Sequence, residues 1–149
     1  MRNRLELAKH FAELGFTKGA EIGVCQGRYA EILYKTIPNL HLTLVDPWPG
    51  APNPNYLETL DRLSSYPAHI VTATSEDASK EIDDVFDFVF IDAIHSYEAV
   101  KQDINLWAPK VRKGGIVSGH DYHIEGVARA VDEYVGKRYK LNTTPWDMD

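Results

Sequence analysis

Two pairs of side chains carry chemistry both by type and by position. Asp92 and His95 follow the apolar run Phe86-Asp-Phe-Val-Phe-Ile91, and His120 and Asp121 follow Ile116-Val-Ser118. Each pair therefore stands just past the end of a predicted strand, and neighbouring strand ends of a parallel sheet open on one crevice. Brought together there, the four groups could hold a divalent cation. Carboxylates suit Mg2+ or Mn2+, and imidazoles move the preference toward Mn2+, Fe2+ or Zn2+. Without a metal, His95 is the residue suited to take a proton from a substrate hydroxyl, because an imidazole titrates near neutrality. A third reading is structural: a polar cluster that ties the strand ends to local backbone. For Ser96 that is the expected role, as the cap of a helix starting near Tyr97.

A second group of residues suits a nucleotide-like ligand. Glu21-Ile-Gly-Val-Cys-Gln-Gly27 is a strand end running into a glycine-containing turn and a helix. Gly23 and Gly27 allow backbone to approach a ligand, and the turn presents amide N–H groups at a helix start. The dehydrogenase fingerprint G-x-G-x-x-G is not matched, since the turn has two glycines and an acidic residue two positions before the first. Asp46 ends the next strand about 20 residues beyond the turn, where a carboxylate with two acceptor oxygens can take both hydroxyls of a ribose. The competing reading of Asp46 is an Asp-Pro turn start.

The elements that must position these groups alternate. Leu5, Leu7, Ala8, Phe11, Ala12 and Leu14 recur at helical spacing, and Gly15 stops that helix ahead of a strand over 20–24. Gly27 opens a helix with Tyr29, Ile32 and Leu33 that breaks at Pro38, before a strand over 40–45. A proline-rich loop leads to a helix over 56–63. Strands follow over 69–73 and 86–91, then a helix over 97–107 with Trp107 in its core stripe. Gly114-Gly115 turns the chain into a strand over 116–118 that ends at Gly119; a helix over 127–134 and an edge strand over 139–144 complete the prediction. The expected fold is α/β: a Rossmann-like, doubly wound, mostly parallel sheet in one domain spanning 1–149.

Composition narrows the partners. The chain has 149 residues, 44% of them hydrophobic, enough for one core, and a net charge of -6 with no basic cluster. That disfavours nucleic acid and anionic membrane and points to a small molecule. One cysteine, Cys25, leaves no internal disulfide. With no membrane-length apolar run and a polar segment after Met1, a cytoplasmic location is expected. Cys25 is taken as a small turn residue. Trp48, Tyr56 and Tyr122 flank the expected crevice and are assigned to packing ahead of ligand stacking. His10, His41, His69 and His123 receive no role.

Together with Val45-Asp46-Pro47-Trp48 and Gly114-Gly-Ile-Val-Ser-Gly-His-Asp-Tyr122, the segments quoted above resemble class I S-adenosylmethionine-dependent methyltransferases over nearly the whole chain. The branch they resemble includes macrolide and aminocoumarin O-methyltransferases. The resemblance implies S-adenosylmethionine as cofactor, with Glu21, Gly23 and Gly27 at its methionine part, Asp46 at its ribose, and Ser75, Glu76 and Asp77 at its adenine; Asp92 belongs to the same cofactor-binding set. It implies a metal held by acidic residues at the Asp92 and Asp121 positions and orienting a substrate hydroxyl; with His120 these are the expected ligands of Mg2+ or Mn2+. His120 departs from the family's acidic or amide residue there, and His95 is a further ligand or, without metal, the catalytic base beside Asp92. Related enzymes carry N-terminal helices and a full C-terminal hairpin over the site. This chain is expected to have a reduced cap and a shortened hairpin, with the loop 47–55, the segment 122–126 and a second subunit of a homodimer closing the crevice. The alternatives are a non-catalytic S-adenosylmethionine-binding protein and, disfavoured by the two-glycine turn, a nucleotide-dependent oxidoreductase.

Overall fold

Helix α1 (Arg4–Glu13) forms because Leu7, Ala8 and Phe11 place one apolar stripe against the sheet, and because the Asn3 side chain caps its first turn by accepting from Glu6 N at 3.0 Å. The computed structural model describes residues 3–138, so the expected edge strand over 139–144 lies outside the described residues. The remaining elements are β1 (Lys18–Ile22), α2 (Arg28–Thr36), β2 (His41–Asp46), α3 (Pro54–Arg62), β3 (His69–Thr72), α4 (Ser75–Glu81), β4 (Phe86–Ile91), α5 (Tyr97–Trp107), a 3₁₀ turn (Ala108–Lys110), β5 (Val111–Gly119) and α6 (Glu125–Arg138).

All neighbouring strands pair in parallel, in the order β3-β2-β1-β4-β5. The chain therefore winds outward from β1 through β2 to β3, then returns to the other side of β1 with β4 and β5. Buried strands alternate their side chains between two apolar layers. Phe88 and Phe90 of β4 join Leu7, Phe11, Tyr29, Leu33 and Leu63 on the face covered by α1, α2 and α3. Val89 and Ile91 join Ala78, Val100, Ile104, Trp107, Val127 and Val131 on the face covered by α4, α5 and α6. This is the doubly wound arrangement expected, in one domain.

Three local departures have physical causes. Helix α4 was not anticipated, because Ser75-Glu-Asp-Ala-Ser-Lys-Glu81 buries only Ala78 and Ser79 and shows no apolar stripe. Its start is fixed instead by the Thr74 hydroxyl, which accepts from Asp77 N at 3.1 Å. The pair Gly114-Gly115 lies inside β5 and not before it. Pairing with β4 shifts register between Phe86 and Phe88, so the glycines mark an irregularity within a strand. Helix α6 begins at Glu125 and runs on to Arg138, beyond the predicted span at both ends. Among the described residues no helix is long and apolar enough to cross a membrane.

Candidate functional site

Registers at the carboxyl edge place the functional residues. Ile22 pairs with both Val45 and Ile91, and Ile91 pairs with Gly119, so the segments leaving β1, β2, β4 and β5 emerge side by side. At the reversal of strand order the segments leaving β1, β2, β3 and β4 enclose a crevice of about 240 Å³, lined by Gly23, Cys25, Asp46, Ser75, Asp92 and Ile94 among others. A reversal of this kind is where open α/β sheets bind ligands.

The β1 turn is held by its neighbours. Gly23 has φ +89°, and a Cβ there would fall 2.3 Å from the Asp92 carbonyl oxygen, so the glycine is required by the approach of the β4 end. Gly27, at φ +69°, begins α2, and a Cβ would press on Thr59 and Leu63 at 3.2 and 3.4 Å. Gly27 thus serves the packing of α2 on α3 and does not line the crevice. Asp46 organises the turn: Val24 N and Cys25 N donate to its Oδ2 at 3.0 Å each, and Trp48 N donates to its Oδ1 at 2.8 Å. An ionised carboxylate has about four acceptor positions, so three amides leave one for a ligand hydroxyl where the sequence suggested two. The Trp48 indole donates to Cys25 O at 2.7 Å and packs at a tilt against Tyr56, with ring centroids 5.0 Å apart, which is the packing role expected for both. Tyr122 donates its hydroxyl to Asp132 at 2.6 Å.

Glu21 lies behind this turn, 2% exposed, and its Oε2 has no hydrogen-bond partner among the described residues. Burial first, then the nearby Asp92 carboxylate, pushes its carboxyl well above the usual range; Arg4 draws it back and Asp46 adds to the rise. A buried acceptor of this kind suits a cationic or N–H-bearing ligand group. Of the expected adenine contacts, Ser75 lines the crevice, whereas Glu76 pairs with Lys80 and Gln102, and Asp77 packs locally with Thr74.

The polar pairs after β4 and β5 do meet. One ligand atom each from Asp92, His95 and Asp121 lies within 4.8 Å of the others. His95 Nε2 is 3.2 Å from Asp92 Oδ1 and 3.0 Å from Asp121 Oδ2. His120 is more deeply placed: its Nδ1 is 3.0 Å from Asp121 Oδ2 and 3.8 Å from Asp92 Oδ1. The geometric triad therefore takes His95 as its imidazole, with His120 beside it. Two carboxylate oxygens and an imidazole nitrogen are a donor set that fits Mn2+ or Mg2+. Ser96 caps α5 as expected, accepting from Ala99 N at 3.3 Å.

Arg4 was not anticipated. It reaches from α1 to the end of β4, donates from Nη2 to Asp92 Oδ2 at 2.6 Å and lies 5.7 and 5.9 Å from the Tyr29 and Phe90 rings. No sequence motif marks it; only the docking of α1 brings it there. Asp103 was missed for the same reason. From α5 it accepts the Ser75 hydroxyl proton, while Trp107 Nε1 donates to the same hydroxyl at 2.9 Å.

A family model described as a methyltransferase domain matches residues 20–122. No curated protein sequence matches the chain. The fold is similar to that of an O-methyltransferase from Bacillus cereus in complex with SAH, with a TM-score of 0.75 at 15% identity over 91% of this chain and 69% of that one. It is also similar to the O-methyltransferase TomG from Streptomyces achromogenes, involved in tomaymycin synthesis and solved with SAM: TM-score 0.73, 15% identity, 89% of this chain and 67% of that one. The SAH-bound methyltransferase PaMTH1 of Podospora anserina gives a TM-score of 0.71 at 12% identity, covering 92% and 70% of the two chains.

Proposed function

The chain belongs to the methyltransferase-domain family, the class I S-adenosylmethionine-dependent methyltransferases, and from that premise we propose that it methylates a hydroxyl oxygen of a small molecule with the help of a divalent ion, Mg2+ or Mn2+. The observation that carries this reading is the Asp92–His95–Asp121 triad, which shares Asp92 with the crevice lining and has its ligand atoms within 4.8 Å of one another. When bound, S-adenosylmethionine supplies an electrophilic methyl group, and a divalent ion supplies positive charge that favours ionisation of the acceptor hydroxyl.

The chain's own residues supply position and charge. Asp46 offers its remaining acceptor position to a ribose hydroxyl, and Glu21 offers its buried oxygen to the ammonium of the methionine part. Gly23 lets the backbone leaving β4 close against the β1 turn, and Ser75 meets the base. Asp92 and Asp121 hold the ion, with His95 as the third ligand and His120 steadying Asp121. In-line transfer asks mainly for this alignment and for exclusion of water.

A second reading rests on His95 itself, which is 40% exposed at its side chain and flanked by two carboxylates. A base held this way takes the acceptor proton without a metal, with Asp92 and Asp121 orienting the ring. Methyl transfer to a panel of small hydroxyl compounds, measured with Mn2+ and with EDTA, separates the two. The metal reading expects EDTA to abolish transfer and Asp121→Asn to lower it about a hundredfold or more, as loss of a principal electrostatic group does. Transfer that ignores EDTA but vanishes in His95→Gln assigns the base. Tight S-adenosylhomocysteine binding with no transfer to any acceptor assigns a binding protein.

A second copy of the chain is our candidate for covering the crevice mouth, where Ile94 stands 68% exposed. Sedimentation velocity with S-adenosylhomocysteine present should show a dimer at micromolar concentration; a monomer there removes this part of the reading.

A further inference from the structure

We propose that Asp103, which does not line the crevice, sets its base specificity by orienting the Ser75 hydroxyl so that only a lone pair faces the ligand, selecting a 6-aminopurine over a 6-oxopurine. The inference rests on S-adenosylmethionine being the cofactor and deepens that reading.

Strand order fixes which end of the crevice meets the base. Ser75 follows β3 at one edge of the sheet, whereas the Asp92–His95–Asp121 triad follows β4 and β5 toward the other. The transferable methyl must sit beside the groups that handle the acceptor proton, so the sulfonium lies toward the triad. The purine then extends past Asp46 toward Ser75.

The polarity of Ser75 follows from counting its hydrogen-bonding capacity. A serine hydroxyl has one proton and two lone pairs. Trp107 Nε1, 2.9 Å away, can only donate and occupies one lone pair. Asp103, 6% exposed, takes the proton on Oδ1. Burial raises the Asp103 carboxyl above its usual value, and the hydrogen bond from Ser75 offsets part of that rise. With the indole donating on one side and Asp103 Oδ1 accepting on the other, the hydroxyl has its proton committed to Asp103. Its one remaining lone pair accepts an exocyclic N–H. A 6-oxo group would set lone pair against lone pair and leave that one acceptor position of Ser75 unmet.

The test is calorimetric binding of S-adenosylhomocysteine and of its deaminated counterpart, S-inosylhomocysteine, to the wild-type chain and to Asp103→Asn and Ser75→Ala. Wild type should prefer the adenosyl ligand by about ten- to a hundredfold, the usual consequence of leaving a buried acceptor unmet. In Asp103→Asn the amide can donate to Ser75 Oγ and release its proton toward the crevice, so the ratio should fall toward one. Ser75→Ala should do the same by removing the acceptor. A role limited to stability would weaken both ligands alike and leave the ratio intact. Equal binding by wild type, or a ratio retained in either folded variant, overturns the proposal. If Asp103→Asn does not fold, Ser75→Ala decides. Failure of wild type to bind either ligand overturns the cofactor reading itself.

Discussion

Asp46 shows how one side chain can serve the fold and the site together. Its two oxygens gather Val24 N, Cys25 N and Trp48 N, and this fixes the turn that forms one wall of the crevice. Replacing it with alanine strips three amides of their acceptor and removes the acceptor position assigned to the ribose. We expect Asp46→Ala to weaken S-adenosylhomocysteine binding by at least about tenfold, since a hydrogen bond to a charged group contributes about 1.5–3 kcal/mol. The melting temperature should fall as well. Calorimetry and a thermal melt on the same sample check both effects; a variant that melts earlier yet binds with unchanged affinity would reduce Asp46 to a turn organiser. This residue was legible in the sequence because it ends an apolar strand and precedes a proline. Its backbone partners were not, since they lie on a turn that only the sheet brings alongside.

At the scale of elements, legibility followed the apolar signal. Strands β2 and β4 and helix α5 were readable because continuous or helically spaced apolar residues are bounded by Pro38, Asp46, Asp92 and Ser96. Helix α4 was not, because its outer face is charged and its burial is confined to Ala78 and Ser79. The start of β5 was hidden by a glycine pair that signals a turn in sequence and occupies a strand irregularity in the fold. Helix α1 was predicted, but its contribution to the site was not: Arg4 projects from its first turn onto Asp92. That pairing neutralises one of the carboxylates assigned to the metal. Arg4→Met keeps an unbranched chain against Tyr29 and Phe90 and removes the charge, so Mn2+ should bind about tenfold more tightly, as expected for deleting a like charge a few ångströms from the ion. Direct titration of Mn2+ into the two proteins reads this. Unchanged affinity would mean that the guanidinium leaves Asp92 whenever the ion arrives.

Across the whole molecule, the two ends of the sheet carry carboxylates of opposite character, and stability should record both. At the amino edge Asp87 accepts from Thr17 N at 2.8 Å, Lys18 N at 2.9 Å and Arg112 Nε at 2.6 Å. Burial alone would raise its carboxyl, but Arg112 and the two amides outweigh it and hold it below the usual carboxylate range. At the carboxyl edge Glu21 is raised by burial and by Asp92. The linkage signs differ accordingly. Asp87, with a depressed folded-state pKa, contributes stability above its unfolded pKa that is lost as pH falls through the folded value. For Glu21 the folded state holds its proton more tightly, so its contribution is greatest at low pH and declines as pH rises from the unfolded value of 4.5 toward the raised one. The ligand-free chain therefore carries a destabilising site at neutral pH and a stabilising cluster at the opposite edge, a common cost of function to stability. Thermal melts across pH should separate them. Glu21→Gln should melt higher than wild type at pH 7, by about 2–4 °C for each kcal/mol relieved in a chain of this size, with the gain shrinking below pH 4.5. Asp87→Asn should melt lower at pH 7, and its deficit should vanish in strong acid, where both forms are neutral. If Glu21→Gln instead lowers the melting temperature at neutral pH, then Glu21 is held by the Arg4 charge more strongly than burial opposes it. The carboxylate would then be ionised and paired before any ligand arrives.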